Sequence, residues 1–114
     1  RSLAEVAAFR RRCQRWWHDG FDLLVTPTTA RVSPAIGEHD HVDGDPLSPM
    51  RRAGEWIAFT PAFNMSGQPA ISLPMHRTAA GLPVGVQLVA DYGREDLLLA
   101  VAARLEVAAP WPHL

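Results

Sequence analysis

The stretch FTPAFNMSGQPAISLP, Phe59 to Pro74, decides how the rest of the chain is read. Thr60 suits a helix cap, Pro61 suits the first helical position, and Gly67 supplies the left-handed stop. A short helix is therefore expected from Pro61, followed by a short strand over Ala70 to Leu73. Gly67 and Pro69 shape the turn between them, where the Asn64 side chain can bond backbone. The stretch also holds two serines, Ser66 and Ser72, so it invites a catalytic reading. Neither serine sits in a strand-turn-helix elbow of the G-x-S-x-G kind. Ser66 lies at a helix end, where serine commonly bonds backbone.

Downstream, HRTAAGLP reads as a turn, with Gly81 as its positive-φ residue. VGVQLVA reads as a strand in which Val84, Val86, Leu88 and Ala90 share one face. This strand and the Ala70–Leu73 strand are expected to pair. REDLLLAVAARLEVAAP then reads as a helix. Glu95 and Asp96 suit its first turn, Leu97, Val101, Leu105 and Ala108 form an apolar stripe, and Pro110 ends it.

Upstream, Ser2 and Glu5 form a capping box. Leu3, Val6, Phe9, Cys13 and Trp16 make a helical stripe, and Gly20 is the stop. The Arg10-Arg11-Arg12 run reads as a solvated helix face, and Cys13, on the stripe, as a buried structural thiol with no histidine placed to activate it. Leu23-Leu24-Val25 is a continuous apolar run ended by Pro27, the pattern of a strand covered on both faces. Thr26, Thr28 and Thr29 lie at its carboxyl end, where α/β sheets tend to face a ligand crevice. Ala30 to Gly54 is loop-like, and a loop of that length is usually functional or mobile. Within it, EHDHVDGD carries His39 and His41 beside acids, but a polar loop fixes no coordination geometry, so no metal site is expected.

Composition removes several function classes. The chain has 114 residues and a net charge of −1, which gives no electrostatic case for nucleic acid or an anionic membrane. No apolar run is long enough to span a bilayer; the run Leu97–Ala103 is cut by Arg104. A single cysteine excludes an internal disulfide and fits a reducing, cytoplasmic setting. All eleven basic residues are arginine, so no lysine is present to serve as base or Schiff-base amine. Opening on Arg1 rather than Met fits a piece of a longer chain.

FDLLVTPTT, FTPAFNMSGQPAISLP and GLPVGVQLVADYGREDLLLAVAARLE, taken together and in this order, resemble the C-terminal part of an amidase signature family enzyme. The pattern Asn-x-x-Gly-x-Pro-Ala-x-Ser-x-Pro followed by Gly-Leu-Pro-Val-Gly-x-Gln-Leu carries the resemblance, which covers most of Phe21 to Glu106. It implies an α/β fold, a partial mixed sheet flanked by helices, with residues 1–114 forming one C-terminal segment of an amidase domain. It also implies hydrolysis of carboxylic amides to acid and ammonia or amine, or amide transfer in the tRNA-dependent amidotransferase branch. Family enzymes use a serine nucleophile, a second serine and a lysine in an N-terminal and central Gly-Ser-rich region that this chain lacks. No catalytic residue and no cofactor is therefore expected here. What the resemblance assigns to this segment is core and substrate-funnel wall, with Thr28, Trp56, Phe59 and Asn64 as funnel residues. The alternative is a non-catalytic binding or assembly module that keeps the fold. A small-molecule amide is the expected partner of the whole enzyme, and self-association is expected of the segment alone.

Overall fold

The computed structural model describes residues 3–111. Its elements run α1 (Leu3–Trp17), β1 (Leu24–Pro27), α2 (Ser48–Ala53), α3 (Pro61–Ser66), β2 (Ala70–Arg77), β3 (Pro83–Val89) and α4 (Glu95–Ala108). Three strands form one sheet in the order β1-β3-β2, antiparallel throughout. The α/β class stands, and β2 and β3 pair as the sequence predicts. The mixed pairing expected of the sheet is not made by these strands.

β3 is the organising strand because it alone has a neighbour on each side. Its even-numbered residues Val86 and Leu88 lie opposite Leu73 and Ile71 of β2 and share a core with Ala90. α4 closes that face with Leu98 and Ala102, while Val101 and Leu105 pack at the margin. The helix thus sits rotated by about one residue from the predicted stripe: Leu97 is half-buried and Ala108 is exposed. A chain that extends from β3 through the short Asp91–Arg94 turn sets that rotation, which periodicity alone does not fix. At the start of α4, the Arg94 guanidinium donates from Nε to Asp96 Oδ1 at 3.0 Å and holds that carboxyl below the usual range. Both groups are exposed, so the pair adds little stability.

The turn chemistry follows the sequence closely. Gly67 and Gly81 take φ values of 78° and 83°, in the left-handed region where a Cβ is strained. Thr60 precedes α3 and Pro61 opens it, but the Thr60 side chain makes no capping bond. β2 runs four residues beyond the predicted Leu73, to Arg77. It does so through a bulge: Leu73 pairs with Val86 and His76 with Val84, leaving Pro74 and Met75 against Gly85. Proline cannot donate to a ladder, and a bulge accommodates it.

Several expectations change. β1 is an edge strand, not a strand covered on both faces, and Val25 is 61% exposed. An apolar run records that cover is wanted, not that these residues supply it. The α1 stripe is bare at its start, with Leu3 90% exposed, and Cys13 on it is half-buried. The residue α1 buries is Trp17, with Trp16 stacked on Phe21 at 4.3 Å between ring centroids. Gly20 takes φ 95° and stops the chain there as predicted; the Ser2 capping box lies outside the described residues. Within the expected loop, α2 forms on Pro49, and Arg51 pairs with Asp45 beneath it. Arg11 and Arg12 are solvated as expected, whereas Arg10 reaches across to α3 and donates from Nε to Met65 O at 2.9 Å.

The accessible surface is 8228 Å², against roughly 6200 Å² expected for a folded monomer of this mass. The radius of gyration is 17.0 Å, where about 13 Å is typical. The core is correspondingly narrow, so single contacts in it carry weight. Leu98→Ala should cost about 3 kcal/mol by removing the α4 side chain from the sheet, read as a lowered denaturation midpoint. An unchanged midpoint would mean that α4 does not depend on this contact.

Candidate functional site: a hydroxyl row and an arginine–tryptophan cleft

The sheet face opposite α4 is polar along one line. Thr26 of β1 and Ser72 of β2 both pair with Gln87 of β3, so the three lie side by side in one row. Gln87 is buried, and its Nε2 donates to Thr26 Oγ1 at 3.0 Å. Just past β1, Thr28 N donates to Gly85 O at 3.0 Å, and Thr28 Oγ1 lies 2.6 Å from Ser72 Oγ. This bridge ties the two edge strands together over the central one. A Cβ at Gly85 would stand 2.7 Å from Thr28 Oγ1 and 2.9 Å from Ser72 Oγ, so a larger residue would force the two hydroxyls to move. A glycine inside a strand often marks such a close approach, a signal present in the sequence reading only as part of a motif.

Beyond Thr28 the chain builds a cleft of about 420 Å³ lined by Arg31, Glu38, His39, Arg52, Glu55 and Trp56. Ala30 N donates to Trp56 O at 3.0 Å, and Trp56 Nε1 donates to Val32 O at 2.7 Å. Trp56 is buried, with its ring as the floor. The Arg31 guanidinium lies 4.6 Å from the ring centroid, within cation–π range, and pairs with Glu55. His39 meets the ring edge-on at 4.5 Å, and its Nε2 is buried without a partner. Arg52 Nη1 donates to Glu38 O at 2.9 Å. The cleft offers an aromatic surface ringed by both signs of charge, suited to a polar organic molecule. Among the described residues no cluster of three His, Cys, Asp or Glu side chains could hold a metal ion.

The four funnel residues named from the resemblance do not converge. Thr28 and Trp56 are joined through the Ala30–Val32 segment. Phe59 is half-buried just before α3. Asn64 is exposed on α3, and its side chain makes no hydrogen bond among the described residues, so the expected turn bond is absent. Buried Ser66 replaces it, with Oγ 3.3 Å from Phe63 O and 2.8 Å from Gln68 Oε1. Sequence reasoning weighed His39 only as a metal ligand and passed over Arg31 and Glu55, because the sequence does not reveal which residues fold back onto Trp56.

The structure is thus an α/β segment with a hydroxyl row on one sheet face and an arginine–tryptophan cleft beyond it. Comparison with protein-family models gives its family: residues 1–99 match the family described as Amidase, and the chain belongs to it. It is 49% identical over 112 residues to the 6-aminohexanoate-cyclic-dimer hydrolase of Paenarthrobacter ureafaciens, covering 94% of this chain and 23% of that protein. It is 41% identical to the putative amidase AmiC of Mycobacterium tuberculosis, covering 99% of this chain and 23% of that one. A solved 6-aminohexanoate cyclic dimer hydrolase superposes with a TM-score of 0.85 over 95% of this chain and 23% of its own. A glutamyl-tRNA(Gln) amidotransferase chain from Thermotoga maritima superposes with a TM-score of 0.67 at 28% identity, covering 91% of this chain and 22% of its own. The chain thus spans about a quarter of the length of the curated relatives it matches.

Gly85→Ala should destabilise the chain by about 1–3 kcal/mol, the range for forcing an extra methyl group into a filled site. Adding Ser72→Ala should restore part of the loss by making room. Equal midpoints for wild type and Gly85→Ala would show that the bridge does not close over this glycine.

Proposed function

We propose that this segment is the C-terminal quarter of an amidase that hydrolyses small carboxylic amides to acid and ammonia or amine. The observation that supports it most is the 49% identity, with a TM-score of 0.85, to a 6-aminohexanoate cyclic dimer hydrolase over almost the whole segment. Within that enzyme the segment supplies sheet core and one wall of the substrate funnel. Thr28 and Trp56 are its contribution to the wall, with Phe59 and Asn64 as more distant members. The nucleophile and its lysine base belong to the remaining three-quarters. The amidotransferase branch is the second reading, supported by the Thermotoga maritima superposition at lower identity. The proposed setting is cytoplasmic, in keeping with a single cysteine. Among the described residues no helix is long and apolar enough to cross a membrane.

A graft tests the reading directly. The segment replaces the matching quarter of the Paenarthrobacter ureafaciens hydrolase, and release of amine from its cyclic amide is measured. The graft should turn over, and Trp56→Ala within it should raise KM more than it lowers kcat. The 114-residue chain alone should release no ammonia or amine. A folded but inactive graft, or turnover by the isolated chain that Ser66→Ala or Ser72→Ala abolishes, would overturn the proposal.

The isolated chain should also self-associate. β1 and β2 are both sheet edges, and an open edge is a template for pairing. Apolar side chains such as Val25, Leu3 and Leu99 stand exposed, and the surface exceeds that of a closed monomer. Light scattering across a dilution series should give a dimer or larger species. A sharp monomer at high concentration, with cooperative melting, would instead favour an independent binding module.

A further inference from the structure

We propose that Thr28 and Ser72 form a binding site for the syn edge of an amide, where C=O and N–H point the same way. The argument is a count of protons and lone pairs. Two hydroxyls carry two protons, and the 2.6 Å bond between them uses one. The hydroxyl that receives this bond keeps its own proton to donate. The hydroxyl that gives it keeps lone pairs to accept. Neither oxygen has another hydrogen-bond partner among the described residues. The pair therefore presents one donor and one acceptor side by side, and Ser72 lies exposed on the open face.

A syn amide is the complementary shape. Its bond lengths of about 1.23 Å and 1.33 Å, meeting near 120°, set O and N roughly 2.2 Å apart. That spacing approaches the hydroxyl separation, so O–H donates to the carbonyl while N–H donates to the other oxygen. The three hydrogen bonds close a ring in which each polarises the next. Primary carboxamides and small lactams present this edge. A trans secondary amide points its O and H in opposite directions and can make only one of the two bonds. The bare backbone of Gly85 holds the pair in place: its carbonyl fixes Thr28 N, and its missing Cβ leaves room for both oxygens.

The site deepens the amidase reading by naming the amide geometry it favours, and its test needs no hydrolysis. Hexanamide, ε-caprolactam and N-methylacetamide are titrated separately into the 15N-labelled chain, following the backbone amide shifts of Thr28, Ser72 and Gly85. Saturable shifts are expected with the first two and none with N-methylacetamide. Thr28→Val and Ser72→Ala should each weaken binding roughly tenfold, and Thr28→Ser should retain it. The dispersion of each spectrum reports folding, and if Thr28→Val does not fold, Ser72→Ala, altering an exposed side chain, carries the comparison. The proposal is overturned by equal saturation with all three probes, by binding unchanged in the variants, or by no saturation at these residues. Each of these results leaves the graft experiment, and with it the amidase reading, standing on its own.

Discussion

Everything in this segment hangs on β3 having a neighbour on each side. Antiparallel pairing to β1 and β2 satisfies its backbone groups from both sides and leaves those of the outer strands half satisfied. The strand then assigns its two faces different work. Val86, Leu88 and Ala90 face α4 and form the dry side. Gly85 and Gln87 face the other way and hold hydroxyls, while Val89 at the end of the same face is fully buried. One seven-residue strand thus presents an apolar face to α4 and a mixed polar and apolar face opposite, through its period of two.

Gly85 is where the two roles meet. Its carbonyl accepts from Thr28 N, which fixes the end of β1. From that fixed point the chain runs through Ala30 to the Trp56 cleft. On its other side, β2 answers the same glycine with a bulge at Pro74 and Met75. A larger residue here would push the Thr28 hydroxyl outward, and with it the start of the segment that meets Trp56. The cleft is thus positioned by the sheet, although its lining comes from a loop, which is the usual division between rigid scaffold and functional residues.

The legible and illegible parts of the sequence divide along physical lines. Local rules were readable. Pro61 and Gly67 bounded α3, Gly81 made its turn, and alternation marked β3, because each depends on a few adjacent residues. Partner-dependent properties were not. Leu23-Leu24-Val25 asked for cover on both faces, but the neighbours that provide it are not determined by those three residues. The rotation of α4 by one residue depended on where the preceding turn delivered it. Of the candidate site residues, Thr28 stood out at a strand end, and Thr28 and Trp56 were named through the resemblance. The turn bond expected of Asn64 is replaced by one between Ser66 and Gln68, two residues apart. The contacts of Arg31 and His39 with Trp56 were not legible, because they exist only once the loop folds onto the indole.

The excess surface gives the last step. A segment of this mass that closed its own core would expose about 2000 Å² less. That difference exceeds the total area buried in a standard stable interface, so it calls for a partner surface as large as an obligate one. It is also distributed unevenly. The α4 side of the sheet is closed, while the edge at Val25, the outer face of α1 at Leu3 and the hydroxyl face at Ser72 are open. Apolar openings ask for apolar cover, but the hydroxyl face can be covered only by groups that hydrogen-bond to it. A catalytic domain docking against the apolar openings and stopping short of Thr28 and Ser72 would leave a polar-floored recess at the junction. Ligand pockets form preferentially at such boundaries between units. The distribution of polar and apolar exposure on this one segment therefore separates surfaces that ask for apolar cover from one that only hydrogen-bonding groups can cover.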